Sequence, residues 1–80
     1  MIRNQNQERI GALIKRLRVT SGISQEDLAR NIGVSRSALS YIESGLRKVT
    51  LDDINQLCLG LGMSIHSFVE AIYPKRGKRL

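Results

Sequence analysis

The segment from Ile23 to Gly45 constrains this chain more than any other part of it. Ser24 and Ser35 each precede a run whose apolar residues recur at helical spacing, and Gly33 stands between the runs. A serine in that place accepts a hydrogen bond from a free N–H of the first turn. Glycine adopts positive φ at little cost, so it permits a sharp reversal. The spacing predicts one helix over 25–32, with Leu28, Ala29 and Ile32 inward. It predicts a second over 36–44, with Ala38, Leu39 and Ile42 inward, ended by Gly45. Asp27, at the third helical position, is placed to reach back to free N–H groups.

The rest of the chain carries similar punctuation. Ile10, Leu13, Ile14 and Leu17 form a one-sided stripe over about 6–20, and Gly22 follows as a stop. Thr50 caps a fourth helix with Asp52 and Asp53 in its first turn, where the helix dipole favours acids. Leu51, Ile54, Leu57, Cys58 and Leu61 supply its apolar face, and Gly62 ends it. Ser64 caps a fifth helix over about 65–73, with Ile65, Phe68, Val69 and Ile72 on one side and Pro74 beyond. No segment alternates with a period of two. The fold expected is all-α: a compact five-helix domain over 1–73, followed by a basic mobile tail over 74–80.

Eighty residues suffice for one small core, drawn mostly from Leu, Ile, Val and Ala because only two Tyr and one Phe are present. The single cysteine excludes an internal disulfide framework and suits a reducing cytoplasm. No apolar run approaches the roughly 20 residues of a spanning helix, and the N-terminus lacks a signal-peptide pattern. The expected location is cytoplasmic, with no membrane partner.

The net charge of +6 is unevenly distributed. Residues 1–50 carry nine basic and four acidic side chains, residues 51–73 no basic and three acidic, and residues 74–80 four basic. Such a split turns one side of a molecule toward a polyanion and another side away. The outer face of the 36–44 helix bears Arg36, Ser37, Ser40 and Tyr41, which can hydrogen-bond to base edges and phosphates. A helix with that face, braced by a short partner, fits a DNA major groove.

The pattern Gly22-Ile23-Ser24-Gln25, Leu28-Ala29, Ile32-Gly33-Val34-Ser35, Leu39-Ser40, Ile42-Glu43 and Gly45 resembles the lambdoid repressor/Cro-like helix-turn-helix proteins, the XRE family. The resemblance covers roughly residues 8–73 and includes small regulators such as restriction–modification controller proteins. It implies a lambda-repressor-like domain whose helix-turn-helix spans 24–44. By the same resemblance Gln25 bonds a phosphate and braces the recognition helix. Arg36 and Ser37 read bases, Tyr41 faces a base or phosphate, and Ser40 and Ser44 stand where relatives touch the backbone. Arg18 and Glu43 match a partly buried salt bridge in several relatives. The chain departs from the phage repressors at Arg36 and Tyr41, where those often carry Gln, so the target sequence does not transfer.

Each role has a plainer alternative. Arg36 can pair with guanine O6 and N7, or bond a phosphate, or stay solvated. Ser37 and Ser40 can read bases or merely fill a helix surface. Tyr41 can pack in the core, and Gln25 can cap a helix and nothing more. Arg47 and Lys48 follow the recognition helix in a loop suited to phosphate contact, which adds affinity without sequence information. Cys58 and His66 stand alone, short of the three or four ligands a metal needs, so no metal and no cofactor are expected. Nor is there a catalytic constellation.

Among the late apolar residues Leu57, Leu61, Met63, Ile65, Phe68 and Ile72, some are expected to form a twofold interface; the alternative is that they complete the core of the single chain. A homodimer would place two recognition helices on a palindromic operator, with half-sites about 10 bp apart. The reading is a double-stranded DNA-binding transcription regulator, a repressor or controller and not an enzyme. An antitoxin that neutralises a protein toxin is the rival, and RNA polymerase is a further partner left open.

Overall fold

The computed structural model describes residues 5–74. Five helices follow one another: α1 (Gln5–Thr20), α2 (Gln25–Ile32), α3 (Arg36–Glu43), α4 (Leu51–Leu61) and α5 (Ile65–Ile72). The basic tail expected over 74–80 lies, apart from Pro74, outside the described residues.

The caps place the helix starts. Ser24 and Ser35 accept from the backbone N–H groups of Asp27 and Ala38, each at 3.0 Å. The Asp27 carboxylate does not reach back as expected; it accepts from Arg30 Nη1 at 3.0 Å instead. The reciprocal arrangement forms at α4, where Thr50 Oγ1 accepts from Asp53 N at 3.1 Å and Asp53 Oδ2 accepts from Thr50 N at 3.0 Å. Between α2 and α3, Gly33 takes φ +76°. Val34 then donates its N–H to the Ala29 carbonyl at 3.0 Å, closing the end of α2. α3 is one residue shorter than its spacing suggests, because Ser44 already serves as its C-terminal cap.

The helices close a ring: α1 packs on α3 and α5, α2 on α3 and α4, and α4 on α5. Inside it Ile14, Leu28, Leu39, Ile42, Leu57 and Phe68 are sealed from solvent, with Leu13, Ala29, Ile32, Cys58 and Ile72 beside them. Three residues expected at a twofold interface are therefore core residues. Leu57 and Phe68 are 0% exposed and Ile72 7% within a single chain, so they have no surface left to offer a partner. Conversely, Leu51, Ile65 and Val69 do not fill the core. Leu51 stands at the open end of α4 and is 83% exposed. On α5, at about 100° per residue, Phe68 and Ile72 point together toward the core while Val69 falls at the edge of the stripe.

α1 and α3 touch at Gly11. A Cβ there would collide with the backbone carbonyl oxygen of Ile42 and lie 2.8 Å from that of Glu43. The glycine brings α1 close behind the C-terminal turn of α3, where Glu43 is buried.

Candidate nucleic-acid interface

α2 and α3 present one exposed shelf. Gln25 at the start of α2, with Arg36, Ser37, Ser40 and Tyr41 of α3, lines a shallow concavity of about 250 Å³. Helical periodicity explains the grouping: Leu39 and Ile42 turn into the core, which leaves residues 36, 37, 40 and 41 on the opposite side. Arg36 is the first residue of α3, and that helix has no acid in its first turn. A cation at this end opposes the helix dipole, which costs about 0.3–1 kcal/mol at a surface. Local rules broken in this way mark functional positions more often than scaffold.

Behind the shelf runs a chain of hydrogen bonds. Glu43 is buried, with its side chain 3% exposed and that of Arg18 11%. Arg18 grips the carboxylate with both ends of its fork, Nε to Oε2 at 2.6 Å and Nη2 to Oε1 at 3.2 Å. The third guanidinium nitrogen, Nη1, donates to the Ile23 carbonyl at 2.9 Å and so ties the α1–α2 turn to the same pair. Glu43 Oε1 also accepts from Gln25 Nε2 at 3.0 Å, and Gln25 Oε1 accepts from Arg36 Nε at 3.4 Å. The link from Glu43 through Gln25 to Arg36 was not legible in the spacing. It joins residues far apart in sequence and depends on how each side chain turns.

The phosphate candidates are distributed around the shelf. Ser44, Arg47 and Lys48 are exposed at and after the end of α3. The Ser44 hydroxyl donates to the Tyr41 carbonyl at 3.2 Å, and the same carbonyl receives the N–H groups of Leu46 and Arg47 at 2.8 and 3.2 Å. This carbonyl thus fixes the loop that carries Arg47 and Lys48. Gln25, by contrast, already has partners on both sides of its amide.

Of the candidates for an interface between copies, Leu61 and Met63 are half-buried and Ile65 is exposed. Leu59 and Val69 are exposed nearby in sequence, at 69% and 45%. Arg9 was missed in the sequence. Its Nη2 donates to the Ile72 carbonyl at 2.7 Å, and its guanidinium lies 5.9 Å from the Tyr73 ring centre, closing the end of α5 against α1.

Cys58 lies in the core, where burial pushes its thiol pKa up. His66 sits on the surface of α5 with Nε2 3.6 Å from Glu70. Among the described residues no three His, Cys, Asp or Glu side chains gather as a metal site would require. Nor is any helix among them long and apolar enough to cross a membrane.

A short helix bracing a second one that carries donors on its open face defines a helix-turn-helix protein. The helix-turn-helix domain model matches residues 9–67, and the chain belongs to this helix-turn-helix family. It is 37% identical over 67 residues to an uncharacterised HTH-type transcriptional regulator of Mycobacterium tuberculosis, covering 84% of this chain and 45% of that protein. It is 38% identical over 55 residues to the antitoxin PezA of Streptococcus pneumoniae, covering 69% of this chain and 35% of PezA. The chain thus spans less than half the length of these two relatives. Among solved structures, the restriction–modification controller protein C.AhdI from Aeromonas hydrophila superposes with a TM-score of 0.77 at 31% identity. That match covers 81% of this chain and 98% of C.AhdI.

Proposed function

We propose that this protein is a homodimeric transcription regulator that lays α3 in the major groove of a palindromic operator and α2 across the backbone. The observation that carries the reading is the exposed shelf on which Gln25, Arg36, Ser37, Ser40 and Tyr41 come together. Arg36 supplies the fork suited to guanine, and Ser37, Ser40 and Tyr41 complete the base-reading set. Ser44, Arg47 and Lys48 hold the phosphates, while Gln25, its amide already bonded to Glu43 and Arg36, braces Arg36. The similarity to C.AhdI over nearly the whole of that chain favours a controller or repressor working in the cytoplasm without catalysis. The second copy docks through Leu61, Met63 and Ile65, extended by Leu59 and Val69. That surface belongs to the part of the chain with no basic residue, 51–73, which offers phosphate no attraction of its own.

Selection from a randomised duplex library tests the reading of bases. Arg36→Ala is expected to relax preference at one position per half-site and to weaken the selected duplex by about 1–3 kcal/mol. Unaltered preference would remove Arg36 from the reading set. A second reading, an antitoxin that also regulates its own operon, is favoured by the similarity to PezA. It requires a toxin that co-purifies with this chain in stoichiometric amounts.

A further inference from the structure

We infer that Glu43, although buried and out of reach of any base, sets the specificity of Arg36 by fixing the orientation of the Gln25 amide. The inference rests on the proposed reading of DNA by Arg36 and adds a positioning residue behind it.

The argument begins with donors and acceptors. An ionised carboxylate only accepts, a guanidinium only donates, and an amide has one end of each kind. Glu43 Oε1 stands 3.0 Å from the amide nitrogen of Gln25 and demands that the NH₂ face it. The amide oxygen is then turned outward to the shelf, where it accepts from Arg36 Nε at 3.4 Å. A half-turn of the amide would set oxygen against carboxylate and NH₂ against guanidinium, and neither bond would survive. The carboxylate thus admits one orientation, and that orientation calls for a donor at position 36.

The same arrangement decides which nitrogens of Arg36 remain for DNA. Nε is engaged by Gln25, and among the described residues no partner is seen for Nη1 or Nη2. Holding a guanidinium by one edge lowers the rotamer freedom lost when another edge meets a base. Arg18 permits the carboxylate to be there at all. Its two bonds to Glu43 neutralise the charge, so the acid behind the shelf does not repel phosphate. Arg18 is therefore support for Glu43, while Gln25 transmits its effect.

The experiment measures discrimination rather than affinity. The base pair at which Arg36→Ala relaxes preference is found by selection from a randomised duplex library. Binding to the selected duplex and to a duplex substituted at that pair is then compared for wild type, Glu43→Gln and Gln25→Met. Circular dichroism sets a temperature at which each variant is folded. Glu43→Gln retains shape but offers the amide of Gln25 both donor and acceptor. Gln25→Met retains length but bonds neither neighbour, and it leaves the Arg18–Glu43 pair in place. Both variants are expected to lower discrimination at that pair about threefold to tenfold, the range of one ordinary hydrogen bond. Preference at other pairs should persist. In an Arg36→Ala background neither substitution should change the ratio further. A role confined to stability would weaken both duplexes alike and leave the ratio unchanged. Wild-type discrimination in folded Gln25→Met overturns the positioning role alone. If Arg36→Ala relaxes no pair, the reading by Arg36 falls and the positioning role falls with it.

Discussion

A guanidinium at the first residue of a helix, facing away from the core and bonded among the described residues to one glutamine, is a poor choice for stability and a good one for a ligand. Arg36 is such a residue, and its exposure follows from the positions of Leu39 and Ile42 in the same helix. That part of the site is legible in the sequence, because a period of 3.6 residues separates the buried side from the open one. The engagement of Gln25 between Glu43 and Arg36 is not, because the three residues meet only after α2 and α3 have packed. Glu43 illustrates the difference in energetic terms. Spacing alone says little of a glutamate near the end of a helix, and it is the family resemblance that pairs it with Arg18; in the structure its side chain is 3% exposed and held by Arg18. Glu43→Ala should strand the Arg18 guanidinium in a largely buried place and destabilise the fold by about 3–5 kcal/mol. Chemical denaturation checks this, and a loss under about 1 kcal/mol would mean that Arg18 finds water without cost.

At the scale of elements, the helix boundaries were legible to within a residue or so because α2, α3, α4 and α5 each start at their own Ser or Thr cap. The inward faces of the last two helices were less so. An apolar stripe states that a face is hydrophobic, not which of its residues the neighbouring helices reach. Leu51, Ile65 and Val69 are left exposed for this reason, while Leu57, Phe68 and Ile72 are consumed by the core. The approach of α1 to α3 had one signal, a glycine within a helix where glycine is unfavourable. Gly11→Ala should force the helices apart against the Ile42 carbonyl and lower stability by about 1–3 kcal/mol or more, although alanine is the better helix former. Thermal unfolding decides the sign, and a stabilised variant would contradict the close crossing. The loop after α3 makes a separate prediction. Arg47→Ala and Lys48→Ala should reduce affinity for all duplexes alike. Each should flatten the dependence of log K on log salt by about 0.9 for every phosphate it no longer neutralises. An identical slope would place that side chain away from the backbone.

For the whole molecule, the ring of helices and the distribution of charge point the same way. The shelf belongs to the basic part of the chain, and the exposed apolar residues Leu59, Ile65 and Val69 belong to the part without a basic residue. Two copies joined through the latter would carry two shelves on one duplex. Sedimentation checks the assembly: Val69→Lys, at a position exposed in the single chain, should shift the protein toward monomer without unfolding it. The most direct test of the central claim is a comparison of two titrations at one fixed salt concentration. One uses the duplex enriched by selection, the other the same base composition in scrambled order. Specific reading by the shelf predicts binding to the enriched duplex about 10³-fold tighter or more. Equal affinity for the two duplexes would contradict it, reducing the shelf to a basic surface that holds DNA without reading it.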